Sequence, residues 1–349
     1  MKHFVLAAPG DLDTPTGGFA YDRRIILELR DLGWDAQYLN LGEGFPFANE
    51  VALRNAESQL FDVPVDYPIV LDGLALGVLP QVAAKLANRN PLLALVHHPL
   101  ALEWGLSGEQ AAAFRSSEQS ALAHVRKVVV TSATTARLVE ADYGVRPERI
   151  TVVIPGSDPV PPSVGSESNV PHLLSVGAIV PRKGFDVLIA SLATLTDLSW
   201  RLTIVGDLTR DPNETAKLRE SINRHGLGDR VAMRGAVPPE QLAELYHKAD
   251  AFVLASRFEG YGMAYAEALS RGLPIVGTTA GAISQTVPGG AGVLVTAGDT
   301  GALTAALKVV ISDGELRCRM SRAALASAAK LPTWRDSGAA FARVLEKFA

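Results

Sequence analysis

The chain has 349 residues, of which 48% are apolar and 20% are charged, and its formal net charge is −4. This length exceeds what one ordinary hydrophobic core supports, so it predicts two domains of similar size. The near balance of charge argues against a nucleic-acid-binding surface, and a single cysteine, Cys318, excludes a disulfide framework and a cysteine-based zinc site. One cysteine is compatible with a reducing cytoplasm.

The chain opens with a five-residue apolar stretch before a turn. That stretch is too short for the apolar core of a signal peptide and is predicted to be the first strand. No run approaches the roughly 18 apolar residues of a membrane span, so we expect no transmembrane segment. Neither half of the chain is strongly basic, and peripheral membrane contact is therefore not indicated.

In the first half of the chain, short apolar runs alternate with amphipathic helical stretches. Helical patterns at 19–32 and 108–125 lie between the predicted strands. The predicted strands are 3–8, 35–39, 69–71, 92–96, 127–131 and 150–154. This alternation is typical of an α/β domain with a doubly wound parallel sheet. A stretch rich in proline, glycine and serine then predicts a linker at 158–170.

The alternation starts again after the linker and predicts a second doubly wound domain. Its predicted strands are 173–176, 201–205, 231–234, 251–255 and 274–277. Its predicted helices are 185–195, 213–225, 239–248 and 263–271. Because open α/β sheets bind ligands at the carboxyl ends of their strands, we expect a cleft between the two domains and a ligand in it.

The segment 250–278 carries the clearest functional signal. It predicts a buried strand, a loop hinged by glycines, a helix and a second strand, with Glu259 in the loop and Glu267 on the helix. Unpaired amides at a helix start suit phosphate, and two carboxylates can accept hydrogen bonds from the hydroxyls of an elongated ligand such as a nucleotide sugar. The alternative is a solvated helix with incidental glutamates, because Glu140 and Glu148 have the same spacing.

Two further loops begin helices directly after a strand. Gly17 and Gly18 leave backbone amides free to approach a phosphate or a sugar, and Arg182 with Lys183 suits a diphosphate. Each loop also has a plainer interpretation. The first can be an ordinary helix-start turn, and the second can be a solvated charged turn.

Histidines end the strand 92–96, where a side chain would lie at the ligand-binding edge of the sheet. His97 is a candidate ligand contact, although a lone histidine in this position is also often structural. His97 and His98 do not have zinc-site spacing, because adjacent strand residues point to opposite faces. Asp11 and Asp13 resemble a metal-binding pair but are better explained as turn formers in a short loop. We therefore expect no metal site.

These segments, taken in order, resemble the retaining glycosyltransferases of family 4, the glycogen-synthase-like group with a GT-B fold. The resemblance covers nearly the whole chain. It rests on Gly17-Gly18, the strand ending at His97, residues 130–133, the linker, Val176-Gly177, residues 182–184 and 204–207, Glu259-x7-Glu267 and residues 273–278.

The resemblance implies two Rossmann-like domains that face each other across a cleft. Residues 1–157 would form the acceptor-side domain, and residues 171–332 would bind the nucleotide sugar. The terminal helix, 333–349, would pack back on the first domain. The implied reaction is hexosyl transfer from a nucleotide-diphosphate sugar to an acceptor hydroxyl, with retention of configuration and no metal or other cofactor.

The resemblance also implies a role for each site residue. Glu259 would contact hydroxyls of the transferred sugar, and Glu267 would hold the ribose. Arg182 and Lys183 would neutralise the diphosphate. The amides that cradle the sugar and the distal phosphate would be those of Gly260, Tyr261, Gly262, Met263 and Ala264.

In the first domain, Gly17 and Gly18 would approach the diphosphate. His97 would lie under the reactive sugar and act as a catalytic residue together with Glu259, Arg182 and Lys183. Two other functions stay open: a sugar-nucleotide epimerase of the same architecture, and a catalytically silent nucleotide-sugar-binding protein. The partners expected are the donor and a sugar or glycoconjugate acceptor, in carbohydrate or glycoconjugate biosynthesis.

Overall fold

The computed structural model describes residues 2–103 and 105–348. These residues form two compact units, residues 2–156 with 332–348, and residues 157–331. Each unit contains one parallel six-stranded sheet within this described part of the chain, flanked by helices. The predicted fold class, α/β with doubly wound sheets, is confirmed.

The first unit has the strand order β2-β1-β3-β4-β5-β6. The strands are β1 His3–Ala8, β2 Asp35–Asn40, β3 Ile69–Asp72, β4 Leu92–Val96, β5 Lys127–Val130 and β6 Ile150–Val152. The helices are α1 Gly17–Asp31, α2 Glu50–Asp62, α3 Gly73–Leu76, α4 Pro80–Leu86, α5 Gly108–His124 and α6 Ala133–Tyr143. Strand β4 is fully buried, as expected for a central parallel strand of leucine, alanine and valine.

The second unit has the order β12-β11-β10-β7-β8-β9, which is that of a dinucleotide-binding Rossmann sheet. The strands are β7 His172–Val176, β8 Arg201–Val205, β9 Val231–Met233, β10 Ala251–Val253, β11 Ile275–Thr278 and β12 Gly292–Val295. The helices are α7 Phe185–Ala193, α8 Pro212–Arg224, α9 Pro239–His247, α10 Met263–Ser270, α11 Ile283–Thr286, α12 Thr300–Ser312 and α13 Gly314–Ala328.

The last helix, α14 Trp334–Leu345, belongs to the first unit and packs on α1. Its start is fixed by a capping box between Thr333 and Asp336, and Ser337 Oγ donates a hydrogen bond of 2.7 Å to the carbonyl oxygen of Ile154. A side chain at Gly338 would collide with Cβ of Glu28 on α1. This close approach holds the helix against the first unit.

The sequence did not predict β12. The strand is short, begins with a glycine, lies at the edge of the sheet and is only half-buried, so it lacks the apolar run that marks the central strands. The residues predicted as a linker lie along the second unit, where Ser163 N donates to the carbonyl oxygen of Arg271 and Val164 N to that of His247. None of the described helices has the length and hydropathy that a bilayer span requires.

Candidate active site

The candidate site in the second unit lies where the strand order reverses. Strands β7 and β10 are neighbours in the sheet, but the strands that follow them in the chain, β8 and β11, lie on opposite sides of this pair. The loops at the carboxyl ends of β7 and β10 therefore diverge. The first loop runs from Gly177 to Gly184 and leads into α7. The second runs from Leu254 to Gly262 and leads into α10. Ligands of open α/β sheets bind at such a position.

Backbone contacts tie these two loops together. Arg257 N donates a hydrogen bond of 2.7 Å to the carbonyl oxygen of Arg182. The Arg257 guanidinium binds both carboxylate oxygens of Asp186 on α7, at 2.9 and 2.6 Å. Gly184 has a φ of +66°, and a Cβ there would overlap the carbonyl oxygen of Ala255. Glycine at this position therefore lets the loop that carries Arg182 and Lys183 lie against the end of β10.

Glu259 is the centre of the site in this unit. Its side chain is buried, with 6% of the residue exposed. Lys183 Nζ lies 2.7 Å from Oε1, Arg182 Nη1 lies 3.5 Å from Oε2, and Ser256 Oγ donates to Oε1 at 2.6 Å. Burial alone would raise the pKa of the Glu259 carboxyl, but the charges of Lys183 and Arg182 and these hydrogen bonds outweigh it and lower the pKa to about 2. Glu259 is therefore ionised at neutral pH.

The helix that follows begins without a side-chain cap. Gly262, at the N-cap position, has a φ of +90° and carries no side chain that could bind the amides of the first turn. Met263 and Ala264 are the first two residues of α10, so their amides have no carbonyl acceptor within the helix. Thr286 Oγ1 donates a hydrogen bond of 2.5 Å to the carbonyl oxygen of Tyr261 and holds the loop before the helix. Such a helix start suits an anion.

Glu267 lies further along α10 and has different partners from Glu259. The hydroxyl of buried Tyr246 on α9 donates a hydrogen bond of 3.0 Å to Oε2 of Glu267. Burial raises the pKa of the Glu267 carboxyl, opposed by that hydrogen bond and by the charge of Arg271. The Arg271 guanidinium in turn stacks on the Tyr246 ring, with 4.6 Å between its central carbon and the ring centre. The carboxylate is thus held in one position.

In the first unit, the candidate residues lie at the carboxyl ends of β1, β3 and β4. Gly17 and Gly18 are the first two residues of α1, which Thr16 caps by accepting a hydrogen bond from Phe19 N. A Cβ at Gly18 would lie 3.3 Å from Cδ2 of His97, so the glycine and the ring are close neighbours. The structure therefore brings the first glycine loop and His97 together.

Two buried carboxylates face the His97 ring. Nε2 lies 3.1 Å from Oδ1 of Asp22 on α1 and 3.7 Å from Oδ2 of Asp72 at the end of β3. Each of the three residues offers one atom that could coordinate a cation, and these three atoms all lie within 4.8 Å of one another. Burial alone would lower the pKa of His97, but the charge and hydrogen bond of Asp22 and the charge of Asp72 raise it. Burial and the charge of Asp22 raise the pKa of Asp72.

The neighbouring candidates have other partners. His98 Nε2 lies 3.0 Å from Oε2 of Glu103, so the two adjacent histidines contact different carboxylates. Asp11 accepts a hydrogen bond of 2.9 Å from Asp13 N, which forms the turn that the sequence predicted. Asp13 Oδ1 also lies 3.7 Å from Nη1 of Arg23.

Sequence reasoning missed the side chains that support the site residues. Ser256 contacts Glu259, Tyr246 contacts Glu267, and Asp22 and Asp72 contact His97. Only Ser256 had a sequence signal, because it lies three residues before Glu259 in the same loop. The other three come from distant parts of the chain, and only the folded sheets bring them to their partners.

Two family models match the chain. The model described as glycosyl transferases group 1 matches residues 158–326, and the model described as glycosyl transferase 4-like domain matches residues 69–156. The first match contains the Glu259 cluster and α10. The second contains the ends of β3 and β4, with Asp72 and His97.

Comparisons with single proteins agree with these matches. MMP alpha-(1->4)-mannosyltransferase of Mycolicibacterium hassiacum is 30% identical over 325 residues, which are 87% of this chain and 76% of that protein. The chain spans less of other curated relatives, 39% of the length of one and 54% of another. Sucrose-phosphate synthase from Thermosynechococcus elongatus has a similar fold, with a TM-score of 0.85 at 19% identity over 99% of both chains.

A second solved structure is Anabaena HepE in complex with UDP and glucose. Its TM-score is 0.80 at 20% identity, over 99% of this chain and all of that one. At such identities both structural comparisons speak for the fold, while the mannosyltransferase matched over 87% of this chain and the family models speak for common descent. The chain belongs to glycosyltransferase family 4, the group 1 glycosyltransferases, and has the GT-B fold.

Proposed function

We propose that the protein transfers a hexosyl unit from a nucleotide-diphosphate sugar to an acceptor hydroxyl, with retention of configuration and without a divalent metal. The observation that carries this proposal is the buried cluster of Glu259, Lys183 and Arg182 at the point where the strand order reverses. The uncapped start of α10 follows directly. Cations, a carboxylate and free amides in one place are what a sugar diphosphate requires.

The cluster provides groups for both parts of the donor. Lys183 and Arg182 would bind the diphosphate, and Glu259 would accept hydrogen bonds from hydroxyls of the transferred sugar. The backbone amides of five successive residues, in the loop and at the start of α10, would cradle the sugar and the distal phosphate: Gly260, Tyr261, Gly262, Met263 and Ala264. Glu267, held by Tyr246, would accept hydrogen bonds from the ribose.

The same groups account for catalysis. Negative charge collects on the diphosphate as the glycosidic bond breaks, so fixed cations and helix-start amides stabilise the transition state more than the ground state. Because Lys183 and Arg182 supply positive charge, the mechanism that we propose needs no divalent metal. Departure of the diphosphate and attack of the acceptor on the same face of the sugar would retain the configuration.

From the resemblance to family 4 we extend the proposal to Gly17, Gly18 and His97 of the first unit. The glycines leave helix-start amides without side-chain obstruction, and His97 would contact the reactive sugar. Its carbonyl oxygen or its ring would face the positive charge that develops at the anomeric carbon. We place the reaction in the reducing cytoplasm, since Cys318 is a free, exposed thiol.

Nucleotide sugars screened by thermal shift, followed by turnover with acceptors, test this function. The names of the curated relatives and the HepE complex with UDP and glucose make mannose and glucose donors the first to try, with sugar phosphates among the acceptors. We expect one donor to raise the unfolding temperature and to release nucleotide only when an acceptor is present. Isomerised donor without acceptor would indicate the epimerase instead. A stabilising donor with no product from any acceptor would indicate the silent binding protein.

A further inference from the structure

The unusual feature of the first unit is a buried carboxylate on the inner face of α1. Asp22 is 1% exposed and shares this face with buried Phe19, Ile25 and Leu29. An isolated carboxylate in such surroundings is costly, so its burial requires a partner. That partner is His97, whose Nε2 lies 3.1 Å from Oδ1 of Asp22.

The contact fixes which ring nitrogen carries a proton. A carboxylate in its charged form only accepts hydrogen bonds, so beside a charged Asp22 the Nε2 nitrogen of His97 is the donor. Asp72 Oδ2 lies 3.7 Å from the same nitrogen, which is too far for a hydrogen bond. In the neutral ring Nδ1 is then unprotonated, and Nδ1 is the nitrogen whose protonation changes with pH.

Other groups packed around the ring limit its movement. The Tyr21 ring meets the imidazole edge to face, with 5.4 Å between centroids, and Gly18 lies against Cδ2. Tyr38 on β2 faces the same two carboxylates, whose charges add to burial in raising its pKa.

We propose that Asp22 is a positioning residue, which fixes the orientation of His97 and keeps its proton on Nε2. The role rests on the proposed function, because His97 would act on the donor and Asp22 would act only through His97. Asp22 is not a contact of the donor in this proposal. It determines which ring nitrogen is available to the reaction.

The charge of Asp22 has a second consequence for the same ring. Burial lowers the pKa of His97, whereas the charge and hydrogen bond of Asp22, followed by the charge of Asp72, raise it above its ordinary value. The ring therefore keeps its second proton to a higher pH than an exposed histidine does. Removing the charge of Asp22 should reverse part of this effect.

Asp22→Asn in the full-length chain separates these roles. Asparagine keeps nearly the same shape, but it has no charge and one carboxylate oxygen becomes an NH2 group that only donates, so Nε2 of His97 is no longer held as the donor. We expect kcat to fall about 10- to 150-fold, as for loss of a hydrogen bond to a charged group, with little change in the donor KM. Asp31→Asn, at the exposed end of the same helix, is the matched control and should leave kcat unchanged.

Nitrogen-15 NMR of labelled histidine gives a readout that a merely structural role would not move. His97→Gln assigns the signal. We expect the neutral ring of the wild type to carry its proton on Nε2, and the pKa of His97 to be lower in Asp22→Asn than in the wild type and in Asp31→Asn. The wild-type tautomer needs no variant, so the test holds even if Asp22→Asn does not fold.

A neutral ring protonated on Nδ1, or a His97 titration identical in Asp22→Asn and wild type, would overturn the proposal. A loss of kcat in Asp22→Asn without a change at His97 would likewise overturn it, because that loss would be structural. Failure of the proposed function is distinguishable. In that case no donor is turned over by the wild type, while the NMR measurements still report the contact.

Discussion

The ion-pair cluster around Glu259 makes a quantitative prediction about stability. The pKa of its carboxyl falls from 4.5 to about 2 in the folded chain. Each pH unit corresponds to about 1.36 kcal/mol, so ionised Glu259 adds about 3 kcal/mol to the free energy of unfolding at neutral pH. Glu259→Gln removes this contribution and leaves two cations near the site without their carboxylate. We therefore expect a destabilisation of about 3 kcal/mol at pH 7.

The pH dependence follows from the lowered pKa. The contribution is complete above the unfolded pKa of 4.5 and is lost as the pH falls toward 2. At pH 3 about half of it remains. The difference between wild type and Glu259→Gln should accordingly shrink by about half between pH 7 and pH 3.

Urea unfolding at both pH values measures the difference, and hydrogen exchange of β10 reports the second unit separately. Glu244→Gln is the matched control, because Glu244 pairs with Lys248 in the same unit but is exposed. Such a surface pair contributes little, so the control should unfold like the wild type. The reasoning is refuted if Glu259→Gln unfolds like Glu244→Gln at pH 7.

Three further predictions concern the reaction. Glu267→Gln should mainly raise the donor KM, by about 10- to 150-fold, because ribose contacts are made in ground and transition states alike, whereas Glu259→Gln should mainly lower kcat. Glu140→Gln and Glu148→Gln are the controls. The site assignment fails if all four variants match the wild type in steady-state kinetics. Proton NMR of the first-formed glycoside should show the anomeric configuration of the donor, and an inverted linkage would contradict the proposed mechanism. Turnover should survive EDTA; complete loss that magnesium or manganese restores would show that a metal is required.

The sequence predicted the architecture well where the strands are buried on both faces. β1, β4 and β8 have the predicted bounds, because a central parallel strand is a short apolar run that ends at a turn. The edge strand β12 was missed, since one exposed side removes that signal. The glycine-hinged loop before α10 was also readable, because Gly262 must adopt a positive φ at the helix start.

The candidate site was only partly readable. Sequence reasoning gave Glu259, Arg182 and Lys183 separate roles, and the structure joins them in one buried ion-pair cluster. It found Glu267 but not its partner Tyr246, which lies on another helix. The spacing of residues along one loop and helix is local information, and a sequence displays it directly.

The sequence by itself determined two alternating α/β halves, the loops that end their strands, and the family to which the chain belongs. Only the tertiary structure decided which side chains meet at those strand ends. Asp22 and His97 are 75 positions apart, and they meet because β1 and β4 lie on either side of β3. Strand order is set by burial of the whole sheet, so no local pattern records that a carboxylate on α1 will face a histidine at the end of β4.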